Sequence, residues 1–152
     1  AVRERNLTNV VFKPLQPADR IAESLGVPDL HVVSLLPHLE HCIIPSKFYG
    51  ILAAGRPTLF IGDPKGSVAA VVDAHRCGVT VEIGKAGQLA ETIAALAAAP
   101  QRVAAMGAAA RAVLEADYAY ERALASWRSL FLALSGGEPL PVRPRLVEQE
   151  PS

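Results

Sequence analysis

Short apolar runs and amphipathic stretches alternate along the first half of the chain. Val10-Val11-Phe12 is a β-rich run closed by Pro14 and predicts a strand over residues 9–13. Pro17, then Asp19, Ile21, Ala22 and Leu25 at helical spacing, predicts a helix opened by proline and stopped at Gly26. The continuous run LHVVSLL over residues 30–36, ended by Pro37, has the pattern of a strand covered on both faces. Ser46 is placed to cap a helix through Tyr49, Ile51 and Leu52 to Gly55. PTLFI over residues 57–61 predicts the next strand, Gly62-Asp63-Pro64-Lys65-Gly66 a turn, and residues 67–75 a helix. After Gly78 a fourth strand is expected over residues 79–83. Strands alternating with helices of this length imply βαβ units, so the predicted class is α/β: a partial, Rossmann-like parallel sheet of four strands flanked by helices.

Beyond Gln88 the pattern is purely helical and rich in alanine, giving a helical C-terminus. Leu89, Ile93 and Leu96 form one stripe, broken at Pro100; Val103, Met106, Ala110 and Val113 form a second. Leu124, Trp127, Leu130, Phe131 and Leu134 form a third, ended by Gly136-Gly137. The expected division is one domain over residues 1–135 and a disordered tail over 136–152, rich in proline and charge.

Composition narrows the function. Of 152 residues 51% are hydrophobic and 20% charged, which suits a folded domain. Fifteen basic residues balance fifteen acidic ones, so no basic surplus exists to neutralise a nucleic-acid backbone, and no nucleic-acid partner is expected. Cys42 and Cys77 stand in apolar surroundings without a CxxC pairing and are read as buried thiols of a reducing compartment. No signal peptide and no bilayer-spanning run are present, which points to a cytoplasmic chain.

Open parallel sheets bind ligands beyond the C-terminal ends of their strands, and two loops hold that position. The first, residues 37–47, leads into a helix whose first residues are Ser46 and Lys47. Free backbone N–H groups, a positive dipole end, a hydroxyl and a lysine together suit an anion, and a pyrophosphate is the natural guest. Glu40, earlier in that loop, is of the type that accepts hydrogen bonds from sugar hydroxyls. The plainer readings are a helix cap for Ser46, a solvated lysine for Lys47 and a loop acid for Glu40. His38 and His41 have a metal-like spacing but lack a third ligand nearby, so no metal is expected. The second loop, residues 62–66, places its lysine before the second glycine and is therefore no Walker A site; no GxGxxG follows any strand.

Residues 9–12, 18–25 and 29–35, and above all PSKFYGILAAGRP over residues 45–57 followed by Phe60-Ile61-Gly62-Asp63-Pro64, resemble the C-terminal domain of retaining GT-B glycosyltransferases of the fourth sequence family. The likeness spans roughly residues 9–96 and is strongest with members that build capsules, exopolysaccharides and lipopolysaccharides from nucleotide sugars. It implies the C-terminal, donor-binding half of a GT-B fold and a hexosyl or N-acetylhexosaminyl transferase using a UDP- or GDP-sugar, with no further cofactor. It also implies Glu40 as the acid that holds the donor sugar, and Ser46 and Lys47 at its diphosphate. The strand end from Phe12 to Leu15 corresponds to the nucleoside contact. A second acid, for the ribose, is expected at Gly50; here the position is glycine, as in one branch of the family.

The resemblance further implies that an upstream strand, helix and acceptor-binding domain belong to the complete enzyme. The acceptor, a glycan or lipid-linked molecule, would bind there, at the inner face of the membrane in enzymes of this type. The chain alone is then expected to be inactive and to expose apolar surface that favours self-association. Two other readings stand beside this one: a sugar-nucleotide epimerase of the same superfold, and a non-catalytic Rossmann-like module that binds a nucleotide or a partner protein.

Overall fold

The computed structural model describes residues 2–40 and 42–136. It is an α/β fold with a three-stranded parallel sheet in the order β1-β2-β3, formed by His31–Ser34 (β1), Thr58–Gly62 (β2) and Gly78–Glu82 (β3). Helices fill the connections and the C-terminal part: Ile21–Gly26 (α1), Ser46–Ala53 (α2), Ser67–Ala74 (α3), Ala86–Ala97 (α4), Pro100–Val113 (α5) and Tyr120–Leu134 (α6). Pro100 opens α5, where its missing N–H leaves no helical bond unmade. A short π turn, Leu114–Tyr118, joins α5 to α6.

Of the four strands expected, the first, over residues 9–13, does not form. Val11 and Phe12 are 69% and 76% exposed, and the segment runs free of the sheet. A three-residue apolar run closed by proline supplies few ladder bonds, and a strand becomes stable only where a neighbour accepts them. The expectation that residues 30–36 are covered on both faces is also corrected. β1 is an edge strand: Val33 is buried, whereas Val32 on the opposite face is half exposed. Only β2, in the middle, is covered along nearly its whole length.

Val33 and Phe60 are register partners and share a face. They join Phe48, Ile51 and Leu52 of α2, Val68 and Val72 of α3, and Ala110 and Val113 of α5 in one core cluster. Two close approaches set this packing. A Cβ on Gly78 would lie 1.9 Å from the Thr58 carbonyl, so β2 and β3 can meet there only over a glycine. A Cβ on Gly107 would lie 2.4 Å from the carbonyl of Gly55, which turns the chain out of α2 with φ +62°. Arg111 of α5 donates to the Ala53 carbonyl at 2.8 Å, placing a cation at the C-terminal end of α2.

Candidate functional site

The parallel sheet brings the C-terminal ends of β1 and β2 side by side, with Ser34 paired to Ile61. From β1 the chain passes through a 3-10 turn, Pro37–Leu39, which delivers Glu40 inward. From β2 it passes through the glycine turn of residues 62–66 into α3. Asp63 Oδ1 accepts from the Lys65 N–H at 2.9 Å, and the Asp63 carbonyl accepts from the Gly66 N–H at 2.9 Å, which fixes the turn tightly.

The two loops interlock. Glu40 is 6% exposed, and its carboxylate lies over Gly66: a Cβ there would sit 2.3 Å from Oε2 and 2.8 Å from Oε1. A Cβ on Gly62 would come 3.0 Å from the same Oε1. Gly66 is the residue that caps α3, so the carboxylate rests at the positive end of that helix, where a negative charge is favoured. Gly66 is thus needed to make room for the acid, whereas Gly62 first makes room for the Phe60 ring, which a Cβ there would strike before reaching Glu40. Chain order hides this relation, because 26 positions separate Glu40 from Gly66. The available signal was the pair of glycines bracketing a strand-to-helix turn beside a loop acid.

Ser46 and Lys47 both stand exposed in the first turn of α2. Pro45 holds the cap position, and Ser46 makes no capping hydrogen bond, which corrects its reading as a helix cap. Its hydroxyl and the Lys47 ammonium therefore project from a helix start whose first N–H groups are not closed by a capping side chain. Gly50 lies one helical turn further on, where a Cβ would meet Leu25 Cδ1 at 3.0 Å. The glycine lets α1 approach α2, a packing role that the sequence did not reveal.

Phe12 and Leu15 are 76% and 98% exposed. Leu15 lines an open groove of about 650 Å³ together with Lys13, Arg20, Ile21 and Val27, and neither Glu40, Ser46 nor Lys47 reaches it. The structure thus brings Glu40 to the glycine turn and sets Ser46 and Lys47 together, while Phe12 and Leu15 belong to a separate surface. His41 lies outside the described residues, as does the segment 137–152 for which disorder was expected. Among the described residues no cluster of three His, Cys, Asp or Glu side chains is arranged to hold a metal ion, and no single helix is long and apolar enough to cross a membrane.

Of the two cysteines, Cys77 is buried as expected and Cys42 is exposed, because its loop runs over the surface between the 3-10 turn and α2. Burial pushes the Cys77 thiol up to about 11. Burial likewise raises the Tyr118 hydroxyl, whose ring packs against Tyr49 at 5.1 Å between centroids. No protein-family model, no curated protein and no solved structure matches this chain.

Proposed function

We propose that this chain is the donor-binding part of a GT-B glycosyltransferase that takes a UDP- or GDP-sugar for polysaccharide or glycoconjugate synthesis. The observation that carries the reading is the junction of the residue 37–47 loop with the glycine turn at the C-terminal ends of β1 and β2. That edge is where open parallel sheets hold nucleotides, and the loop that holds Glu40, Ser46 and Lys47 leads away from it; Phe12 and Leu15, assigned to the nucleoside by the same resemblance, lie on a separate surface.

In this reading the donor diphosphate lies at the start of α2, against Lys47, the Ser46 hydroxyl and free backbone N–H groups. These groups stabilise the negative charge that builds on the departing nucleoside diphosphate, without requiring a metal. Glu40 is the acid assigned to the donor sugar in this reading; its carboxylate is buried against Gly66, so meeting a sugar hydroxyl requires it to swing out from between the interlocked loops. The acceptor belongs to a separate domain of a larger chain, so residues 1–152 alone bind donor without turning it over.

Titration calorimetry of the 152-residue chain with UDP, GDP and their hexose conjugates tests the proposal. Lys47→Ala is expected to weaken nucleoside diphosphate and nucleotide sugar alike, by roughly ten- to a hundred-fold, since a charge-assisted contact contributes about 1.5–3 kcal/mol. Glu40→Gln is expected to leave free nucleotide binding nearly intact and to remove the added affinity of the sugar. Unchanged nucleotide affinity in Lys47→Ala would make the lysine a solvated surface residue and end the diphosphate assignment.

A further inference from the structure

Helix α6 inverts the usual amphipathic arrangement. Ser129 is its buried residue, while Tyr120, Leu124, Trp127, Phe131 and Leu134 are 55–76% exposed. The helix joins the fold mainly through the π turn before it, which leaves the apolar stripe clear of the core. The five positions step by four, three, four and three residues, the spacing of a coiled-coil seam. Trp127 and Phe131 stack on one another along this stripe, with centroids 5.9 Å apart and planes 28° off parallel. Leu130, 48% exposed, widens one flank of the stripe.

We propose that this stripe is a self-association surface, with α6 of one copy pairing antiparallel with α6 of a second copy. Area and charge select that occupant. Each aromatic ring carries roughly 150–250 Å² of surface. With the leucines, the stripe offers about 600 Å² per copy and about 1,200 Å² for a pair, the lower end of stable interfaces. Glu121 and Arg128, both exposed, lie seven residues apart on the same flank of the stripe. The antiparallel register that sets Leu124 on the partner's Trp127, and Tyr120 on the partner's Phe131, also brings Glu121 beside the partner's Arg128. The two-fold axis makes that ion pair twice. Parallel pairing offers neither charge an opposite neighbour, because the other flank is Ala123 and Leu130. The pairing is independent of any nucleotide.

Sedimentation equilibrium of the 152-residue chain, from about one to about one hundred micromolar, tests this. A monomer–dimer equilibrium is expected. Trp127→Glu is expected to weaken it by about a hundred-fold or more, as for a central aromatic anchor. Its thermal midpoint at low concentration should match that of the parent chain, because Trp127 lies outside the core. Glu121→Arg places like charges across the seam and is expected to weaken the dimer by about ten-fold; adding Arg128→Glu restores the opposite pairing and most of the affinity. A monomer throughout the range overturns the proposal, as does a dimer that Trp127→Glu leaves intact. Failure of the charge swap to rescue Glu121→Arg overturns the antiparallel register. Binding of α6 to anionic lipid vesicles by a chain that stays monomeric assigns the stripe to a membrane surface and likewise overturns it.

Discussion

Two β-rich stretches of similar composition end in opposite ways. Val10-Val11-Phe12 and Val32-Val33 both lie in apolar runs followed by proline, yet only the second becomes a strand. β1 finds β2 beside it, with His31 donating to the Pro57 carbonyl at 3.0 Å and Leu35 donating to the Ile61 carbonyl at 3.0 Å, so its backbone groups are satisfied at both ends. The first stretch has no such neighbour and keeps its side chains in water. α6 repeats the lesson in helical form: local pattern made the helix, but no layer of the fold covers its apolar stripe. Hydrophobic periodicity reports what a segment needs to bury; burial itself requires a surface to receive it.

Substitutions turn that contrast into measurements. The largest effect is expected at the β2–β3 contact. Gly78→Ala would force a methyl onto the Thr58 carbonyl and part the two strands, at a cost above about 4 kcal/mol, a large share of a small domain's stability. Gly26→Ala, where a Cβ meets nothing within 4 Å, should leave the far-ultraviolet circular dichroism unchanged. If Gly78→Ala melts like the parent, the sheet pairing described above is wrong.

Next come the two apolar populations. Leu52→Ala, in the core, is expected to lower unfolding free energy by about 2–5 kcal/mol through lost contacts and a residual cavity. Phe12→Ala, largely in water, should stay within about 0.5 kcal/mol. Urea midpoints of the two variants measure the difference, and an equal loss would mean that residues 9–13 pack after all.

The thiols give a third and smaller contrast. The folded state holds the Cys77 proton more tightly than the unfolded chain, whose thiol titrates near its ordinary 9.0. The resulting stability is complete below about pH 8 and is lost as pH rises from about 9 to about 11, by at most about 2–3 kcal/mol. Melting curves across that window should lose this slope in Cys77→Val. In the same chain Cys42 is expected to react with a thiol reagent at once, and Cys77 only on unfolding. The smallest effect is expected at the exposed Arg20–Glu23 pair, 2.8 Å apart at the start of α1, where Arg20→Ala should cost less than about 0.5 kcal/mol.

By itself, the sequence determined the class of fold and the order of most elements. Alternating strands and helices, the proline and glycine stops, and the apolar stripes of α2, α3 and α5 are local properties, and they survive into the structure with boundaries moved by a few residues. It also marked the two loops at the sheet's C-terminal edge, because strand-to-helix turns rich in glycine, proline and charge are written in consecutive residues. Tertiary structure alone decided which apolar runs were covered: residues 9–13 found no neighbour, β1 became an edge, and α6 kept its stripe in solvent. It alone decided, too, that Glu40 rests on Gly66 at the start of α3 and that Gly50 makes room for Leu25. Those relations join residues from different elements, and they depend on where β1, β2 and the helices sit in space, which no local pattern of side chains specifies.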